Sequence, residues 1–434
     1  MGAALPLPQT DKAAAASPAP AVVVMRGAQA LADIVPAWDD LAAGALEPNP
    51  FYESWMLRPA IEHLAAGQDI QVVTVWADGK LGALLPMQRQ GRYRGLPVGT
   101  LRSWRHRHCL LGTPLVRADG AASHVAALVE WFRKAASVVE LDYLPADGPV
   151  YHLLSTRPLA AVPGGGHERA RFRRARDADT YVATAVSRQD RQEVRRRERR
   201  LAERGAVAHV KLRAGDSIEG WLDELLHLEA GGWKGKQGSA LACSESNRRF
   251  AIEIFTAAHR RGRLHMVGLD LGGKPLARCS SILAGSGGYA FKTAYDEVFA
   301  RFSPGVIAEV DRIRALHDSP EVQWMDSFTD AGNVVLNRLW NERVKIQGLV
   351  FASGPLGRAA VSALPVLRRA KRWLQRRRTS DSASKTSAVP ASTVSVTASP
   401  SSSQPQNTPS TGTASPTVSV RDGPISRISV KKGK

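Results

Sequence analysis

Cysteine is scarce in this chain. Cys109, Cys243 and Cys279 are its only three, and no two are close in sequence. That pattern excludes a disulfide framework and a CxxC metal pair, and it suits a reducing compartment. Long apolar runs are absent. The nearest, 349–367, is broken by Gly354, Pro355, Gly357, Arg358 and Pro365, so it argues against a spanning helix. Acid is in deficit: 40 Asp and Glu stand against 59 Lys and Arg, a net charge of +19. Such an excess attracts phosphates, acidic carrier proteins, nucleic acid or anionic lipid without choosing among them. The stretch 1–25 lacks a basic start and a continuous apolar core, and reads as a disordered Ala/Pro lead rather than a signal peptide. At the other end, 379–434 is rich in Ser, Thr and Pro. It has too little apolar surface to offset chain entropy and is expected to be disordered.

Between these ends, a 44% hydrophobic composition supports a sizeable core. A weak internal repeat appears. Val72–Leu85 reads as strand, Asp-Gly turn, strand, and Met266–Ala277 as strand, Gly-Gly turn, strand. Val138–Asp142 and Val322–Asp326 are both short apolar strands ending in Asp. Helices bearing Trp38 and Trp221 open the two halves. The succession predicts two α/β domains of one fold in tandem. Ser187–Gly205 between them carries eight arginines against four acids. Arg188, Arg191, Arg195 and Arg199 share one helical face. The absence of aromatics on that helix argues against specific DNA binding.

The segment 288–316 holds the strongest chemical signal. Tyr289, Phe291, Thr293 and Tyr295 alternate with Ala290, Lys292 and Ala294, a strand pattern. Ser303 and Pro304 then suit the N-cap and first position of a helix. Gly305 leaves room for a ligand at the first turn, whose N–H groups and dipole favour phosphate. His106, His108 and Cys109 form an HxHC cluster without a second ligand pair. Beside Arg102, Arg105 and Arg107 they read as a basic surface loop rather than a metal site.

Taken in order, these residues resemble a family. They are Asn49-Pro50-Phe51-Tyr52-Glu53, Pro114-Leu115-Val116, the Arg195–Leu201 stretch, Glu229, Trp233-Lys234-Gly235, Lys292, Ala294-Tyr295-Asp296-Glu297, Phe302-Ser303-Pro304-Gly305, Asp326-Ser327 and Trp340. The chain resembles the cellulose-biosynthesis-associated (CelD-type) acetyltransferases of the GNAT superfamily, which are related to Fem-type aminoacyltransferases. The resemblance implies an α/β fold of two tandem GNAT-like domains, each a twisted mixed sheet flanked by helices. The expected division is a degenerate first domain at 26–180, an Arg-rich connecting helix at 181–210 and a second domain with the donor site at 211–350. A basic amphipathic segment follows at 351–378.

The resemblance also implies an acyl donor, acetyl-CoA or another acyl-CoA, with no metal. Pantetheine would lie along Phe291, Lys292, Thr293 and Ala294, and pyrophosphate at Arg301, Ser303, Pro304 and Gly305. The first glycine of the usual phosphate loop falls one place late here, which leaves room for acyl carrier protein or aminoacyl-tRNA as donor. Candidate proton-transfer groups are Asp296, Asp326, Tyr295 and Glu297. Glu229, Trp233, Lys234, Arg195 and Arg199 are candidates for the acceptor side. The expected activity is acyl transfer to an amine or hydroxyl of an envelope or exopolysaccharide precursor. Alternatives are Fem-like transfer from aminoacyl-tRNA, or a non-catalytic scaffold in polysaccharide synthesis. The expected location is cytoplasmic, with peripheral contact at the inner membrane through the basic helix 364–378 left open.

Overall fold

The computed structural model of the chain describes residues 19–157 and 161–363. The leader up to residue 18, the basic helix candidate 364–378 and the tail 379–434 lie outside the described residues. Thirteen strands are present among those described: β1 (Ala21–Met25), β2 (Ile70–Ala77), β3 (Lys80–Gln90), β4 (Thr100–Ser103), β5 (Leu115–Val116), β6 (Val138–Pro145), β7 (Ala161–Arg173), β8 (Val207–Lys211), β9 (Leu264–Leu271), β10 (Lys274–Ala284), β11 (Gly287–Tyr295), β12 (Trp324–Asp326) and β13 (Glu342–Ala352). Twelve helices flank them: α1 (Ala28–Asp33), α2 (Val35–Ala43), α3 (Ser54–Leu64), α4 (Ala121–Ala135), α5 (Pro149–Ser155), α6 (Ala178–Ala185), α7 (Arg188–Ala202), α8 (Ile218–Gly231), α9 (Trp233–Lys236), α10 (Glu245–Arg260), α11 (Pro304–His317) and α12 (Val334–Leu339). The architecture is the mixed α/β one that the sequence predicts.

Turn chemistry explains the hairpins. Asp78 and Gly79 both have positive φ, as do Gly272 and Gly273. These paired left-handed residues match the twist of the flanking strands. The sheet runs β1-β2-β3-β4-β6-β13-β7-β12-β11-β10-β9-β8, with β5 beside β3. From either end it shows one pattern. An outer strand, a hairpin and a further strand lead to a parallel partner, β4 with β6 and β11 with β12. β1 was not foreseen. Val22, Val23 and Val24, at the end of the stretch read as a disordered lead, pair with β2, where β-branched residues fit a pleated edge.

The closing strands are exchanged between the halves. β7 follows the first half in sequence yet pairs with β12. β13 follows the second half yet pairs with β6. β7 and β13 also pair with each other, antiparallel, from Glu342 to Phe351. The main apolar core accordingly takes residues from both halves, among them Phe51, Leu84, Phe132, Phe255, Phe291 and Phe351. Burial of each such side chain contributes about 1.5–3 kcal/mol. On α10, Phe250, Ala251, Ile254, Phe255 and Ala258 are buried at helical spacing. Their stripe packs the helix inward, and its outer side meets α3 through Glu253 and His63 at 2.8 Å.

Candidate functional site

The site is built on β11. Its register with β10 slips between Ser280 and Ser281: Ser281 faces Ala290 and Ser280 faces Lys292, so Phe291 is an extra residue. A β-bulge of this kind re-aims side chains. Strict alternation would put Phe291 and Lys292 on opposite faces. Here they share one, with Phe291 against Phe255 of α10 and Lys292 facing Glu229 of α8. The Lys292 ammonium also lies 5.4 Å from the Phe291 ring centroid.

β12 pairs only with Gly287, Gly288 and Tyr289, and it ends at Asp326. β11 continues to Tyr295. The two parallel strands therefore part, and the cavity between them has a volume of about 530 Å3. Phe291, Lys292, Thr293, Gly305, Arg312 and Phe328 are among its lining residues. Lys292 directs its N–H and C=O at Ser280 Oγ on β10, each at 3.2 Å. By alternation Thr293 directs its backbone groups into the gap. Its carbonyl is met there by Lys234 Nζ at 3.0 Å.

α11 starts at the far end of the gap. Pro304 occupies its first position as expected, while Ser303 is left-handed, with φ 50°, and gives no side-chain cap. Its hydroxyl is taken by Arg197 of α7. Val306 and Ile307 donate to the Ser303 carbonyl at 2.9 and 3.2 Å, and proline has no N–H. The first turn thus offers an anion the Gly305 N–H and the dipole rather than a full set of amides. A Cβ on Gly305 would sit 3.0 Å from Tyr295 Cδ1, so a side chain there would press on that ring and crowd the first turn.

Arginines supply the remaining positive charge, from the unexpected face of α7. Leu201 is buried and Val194 packs inward, which fixes the helix rotation. Arg196, Arg197, Arg200 and Arg204 then line a pocket of about 250 Å3 with Arg301 and Phe302. Glu193 accepts from Arg196 at 2.7 Å and Arg197 at 2.5 Å. Arg195 instead lines a separate cavity with Arg191 and Arg314, and Arg199 is exposed.

A polar chain crosses the gap on the α8 side. Glu229 is buried and accepts from Leu241 N at 2.7 Å and Lys234 Nζ at 3.0 Å. Lys292 Nζ is 3.9 Å from the same carboxylate and donates to His108 Nδ1 at 3.1 Å. Those partners leave the His108 proton on Nε2, which faces Asn247 Oδ1 at 2.9 Å. Burial, seconded by the Lys292 charge, lowers His108 to a pKa of about 3 and keeps it neutral. Burial likewise lowers Lys292 to about 8. Glu229 opposes that shift, while Lys234 and Arg107 add to it. Burial alone would raise Glu229, yet Lys292, Lys234 and the Leu241 N–H hold it below its ordinary value. The HxHC residues are thus buried rather than a basic surface loop, and no metal-ligand cluster occurs among the described residues.

On the opposite face, Thr293 Oγ1 donates to Glu309 at 2.9 Å and Arg312 pairs with Glu309 at 3.1 Å. This buried pair fixes the strand against α11. The proposed proton-transfer carboxylates are engaged elsewhere. Asp296 caps Val298 N at 2.9 Å. Glu297 accepts from Trp233 N and from Lys236 Nζ, the latter at 2.9 Å, tethering α9. Asp326 is locked to Arg169 of β7 at 2.7 and 2.8 Å, both side chains buried. Tyr295 lines the cavity beside Gly305. Ala294 is buried, and Trp233 is half exposed at the rim. Sequence reasoning missed His108, Asn247, Glu309 and Arg312. Only His108 had a visible signal, in the HxHC cluster.

The site is thus a gap between two parting parallel strands, β11 and β12, that ends at the first turn of α11. Residues 188–332, which carry β11, β12 and the start of α11, match the family model of the acetyltransferase (GNAT) domain. No curated protein matches the chain. Among solved structures it is similar to FemX, at 12% identity and TM-score 0.49, covering 75% of this chain and 96% of that one. It is also similar to L-PGS from Bacillus licheniformis, at 14% identity and TM-score 0.44, covering 78% and 96%. A tandem GNAT protein from the clavulanic acid pathway is similar at 15% identity and TM-score 0.38, covering 77% and 99%.

Proposed function

We propose that this chain transfers an acetyl or longer acyl group from acyl-CoA to an amine or hydroxyl. One observation carries the reading: the unpaired edge of β11 opens onto a cavity that ends at Ser303 and Gly305. An extended pantetheine can pair with the Thr293 backbone once Lys234 yields the carbonyl. The pyrophosphate then meets the Gly305 N–H, the α11 dipole and the arginines around Arg301. The acceptor enters past Trp233, between α9 and the loop 104–114. The CelD-type sequence resemblance supports an envelope or exopolysaccharide precursor as acceptor.

The crowd of arginines favours a second reading, aminoacyl-tRNA as donor, because five guanidinium groups exceed what one pyrophosphate needs. Calorimetric titration with acetyl-CoA, a longer acyl-CoA and charged tRNA separates the two. Acyl-CoA binding that Gly305→Val abolishes is the expected result. Affinity indifferent to that substitution would remove the donor from this gap, and binding of charged tRNA alone would favour the second reading.

A further inference from the structure

Several features outside the donor contacts compete for a role. Val298, Val334 and Trp233 are exposed apolar groups, but nothing shows what covers them. His209 bridges Asp311 and Glu198 at 2.6 and 2.9 Å, which ties β8 to α11 and α7 structurally. The chain from Asn247 through His108 to Lys292 has no such structural explanation. A lysine is costly to bury, and a hydrophobic side chain would fill the same space.

We propose that Lys292 takes the proton from the acyl acceptor and returns it to the departing thiolate, with His108 and Glu229 positioning its amine. The inference rests on the acyl-CoA reading above. Three observations converge. The bulge at Phe291 turns Lys292 into the gap beside the free strand edge, where its side chain lines the cavity. The carboxylates otherwise suited to the task, Asp296, Glu297 and Asp326, are committed to a cap, a tether and a buried ion pair. The surroundings also hold the Lys292 pKa at about 8, close to where a proton-transfer group works best. Glu229 on α8, Lys234 on α9, Cys243 in the turn 241–243, and Arg107, His106 and His108 in the loop 104–114 are the titratable and charged groups facing it. Asn247 on α10 holds His108.

The chemistry balances without a further reagent. Neutral Lys292 donates one N–H to His108 Nδ1, which aims its lone pair at the acceptor. The acceptor nitrogen or oxygen attacks the thioester carbonyl carbon. A new C–N or C–O bond forms, and the acceptor's proton passes to Lys292. The C–S bond then breaks with its electron pair on sulfur. The Lys292 ammonium protonates that thiolate, and the enzyme is back in its starting state. The geometry makes the first half of the chain a contributor to the site, because His108 belongs to it.

The test needs no knowledge of the acceptor. The full chain is labelled with trace isotope-coded acetic anhydride across neutral to alkaline pH, and the Lys292 peptide is read by mass spectrometry. The expected midpoint is about 8. At that pH the neutral fraction is about a hundredfold that of an ordinary lysine with a pKa of about 10.4. Saturating CoA should suppress labelling severalfold, and Glu229→Gln should move the midpoint lower by removing the favourable carboxylate. A midpoint at the ordinary lysine value overturns the proposal. So does absence of labelling, since an amine that acetic anhydride cannot reach cannot meet an acceptor. So does labelling untouched by CoA when calorimetry shows CoA bound. If calorimetry shows no CoA bound, the donor reading fails, while the midpoint still judges Lys292 separately.

Discussion

His108 and Lys292 show how one residue's chemistry is set by its neighbours. An exposed histidine titrates near neutrality; His108 is held to about 3 by burial and the Lys292 ammonium. The sign of the consequence follows. Between about pH 6.5 and 3 the unfolded chain binds a proton at this residue and the folded chain does not. Stability from this group therefore falls as pH drops through that window. His108→Gln cannot titrate and can keep a polar contact with Asn247. The stability difference between wild type and this variant should shift toward the variant by about 2 kcal/mol from pH 7 to pH 5. Urea unfolding at the two pH values measures it, and a difference independent of pH would rule out a neutral buried His108. None of this was legible in the sequence, where the three arginines around the HxHC cluster suggested solvent exposure. Arg102 pairs with Asp142, Arg105 donates to the Cys109 carbonyl and Arg107 to the Gly238 carbonyl, while the histidines are buried.

At the scale of the element, α7 carries arginines on two faces, and local pattern does not say which matters. Spacing alone singled out Arg195 and Arg199. Two apolar residues, Val194 and Leu201, decide the rotation by packing inward, and that brings Arg196, Arg197, Arg200 and Arg204 together with Arg301 and Phe302, in the turn before α11. Reversal of charge at Arg200 and Arg204 together should weaken CoA binding about tenfold at low salt, with the loss shrinking as salt screens the field. The same reversal at Arg195 and Arg199 should change affinity little. Calorimetry at two ionic strengths tests both, and equal effects from the two pairs would place the phosphates elsewhere. β11 teaches a related lesson. Its existence and its run into a Pro-initiated helix were readable from period and cap residues. The bulge was not, because it is a property of the pairing with β10 rather than of either strand.

At the scale of the molecule, the exchanged strands β7 and β13 make the two halves depend on each other. Arg169 on β7 reaches Asp326 on β12, and both are buried. Asp326→Asn would leave the guanidinium with an uncompensated charge, and it should cost about 3–5 kcal/mol by chemical unfolding. Replacing both members with apolar residues of similar size should restore much of that loss. A single mutant as stable as wild type would show the pair to be dispensable. Asp326 looked like a proton acceptor in sequence because it ends a strand at the cleft. Its partner lies 157 residues away, beyond the reach of any local pattern.

The sequence by itself determined the α/β class, the two hairpins with their left-handed turn residues, the strand leading into α11 and the basic character of α7. These follow from short-range physics: side-chain period, turn conformation, proline geometry and net charge. Tertiary structure alone decided which strand closes which half, which face of α7 turns toward Arg301 and Phe302, and which ionisable groups are tied up or left poised. Those outcomes depend on burial and on partners distant in the chain. Desolvation and long-range pairing, not residue identity, made Asp326 a strut and left Lys292 with a neutral histidine at the open edge of the strand.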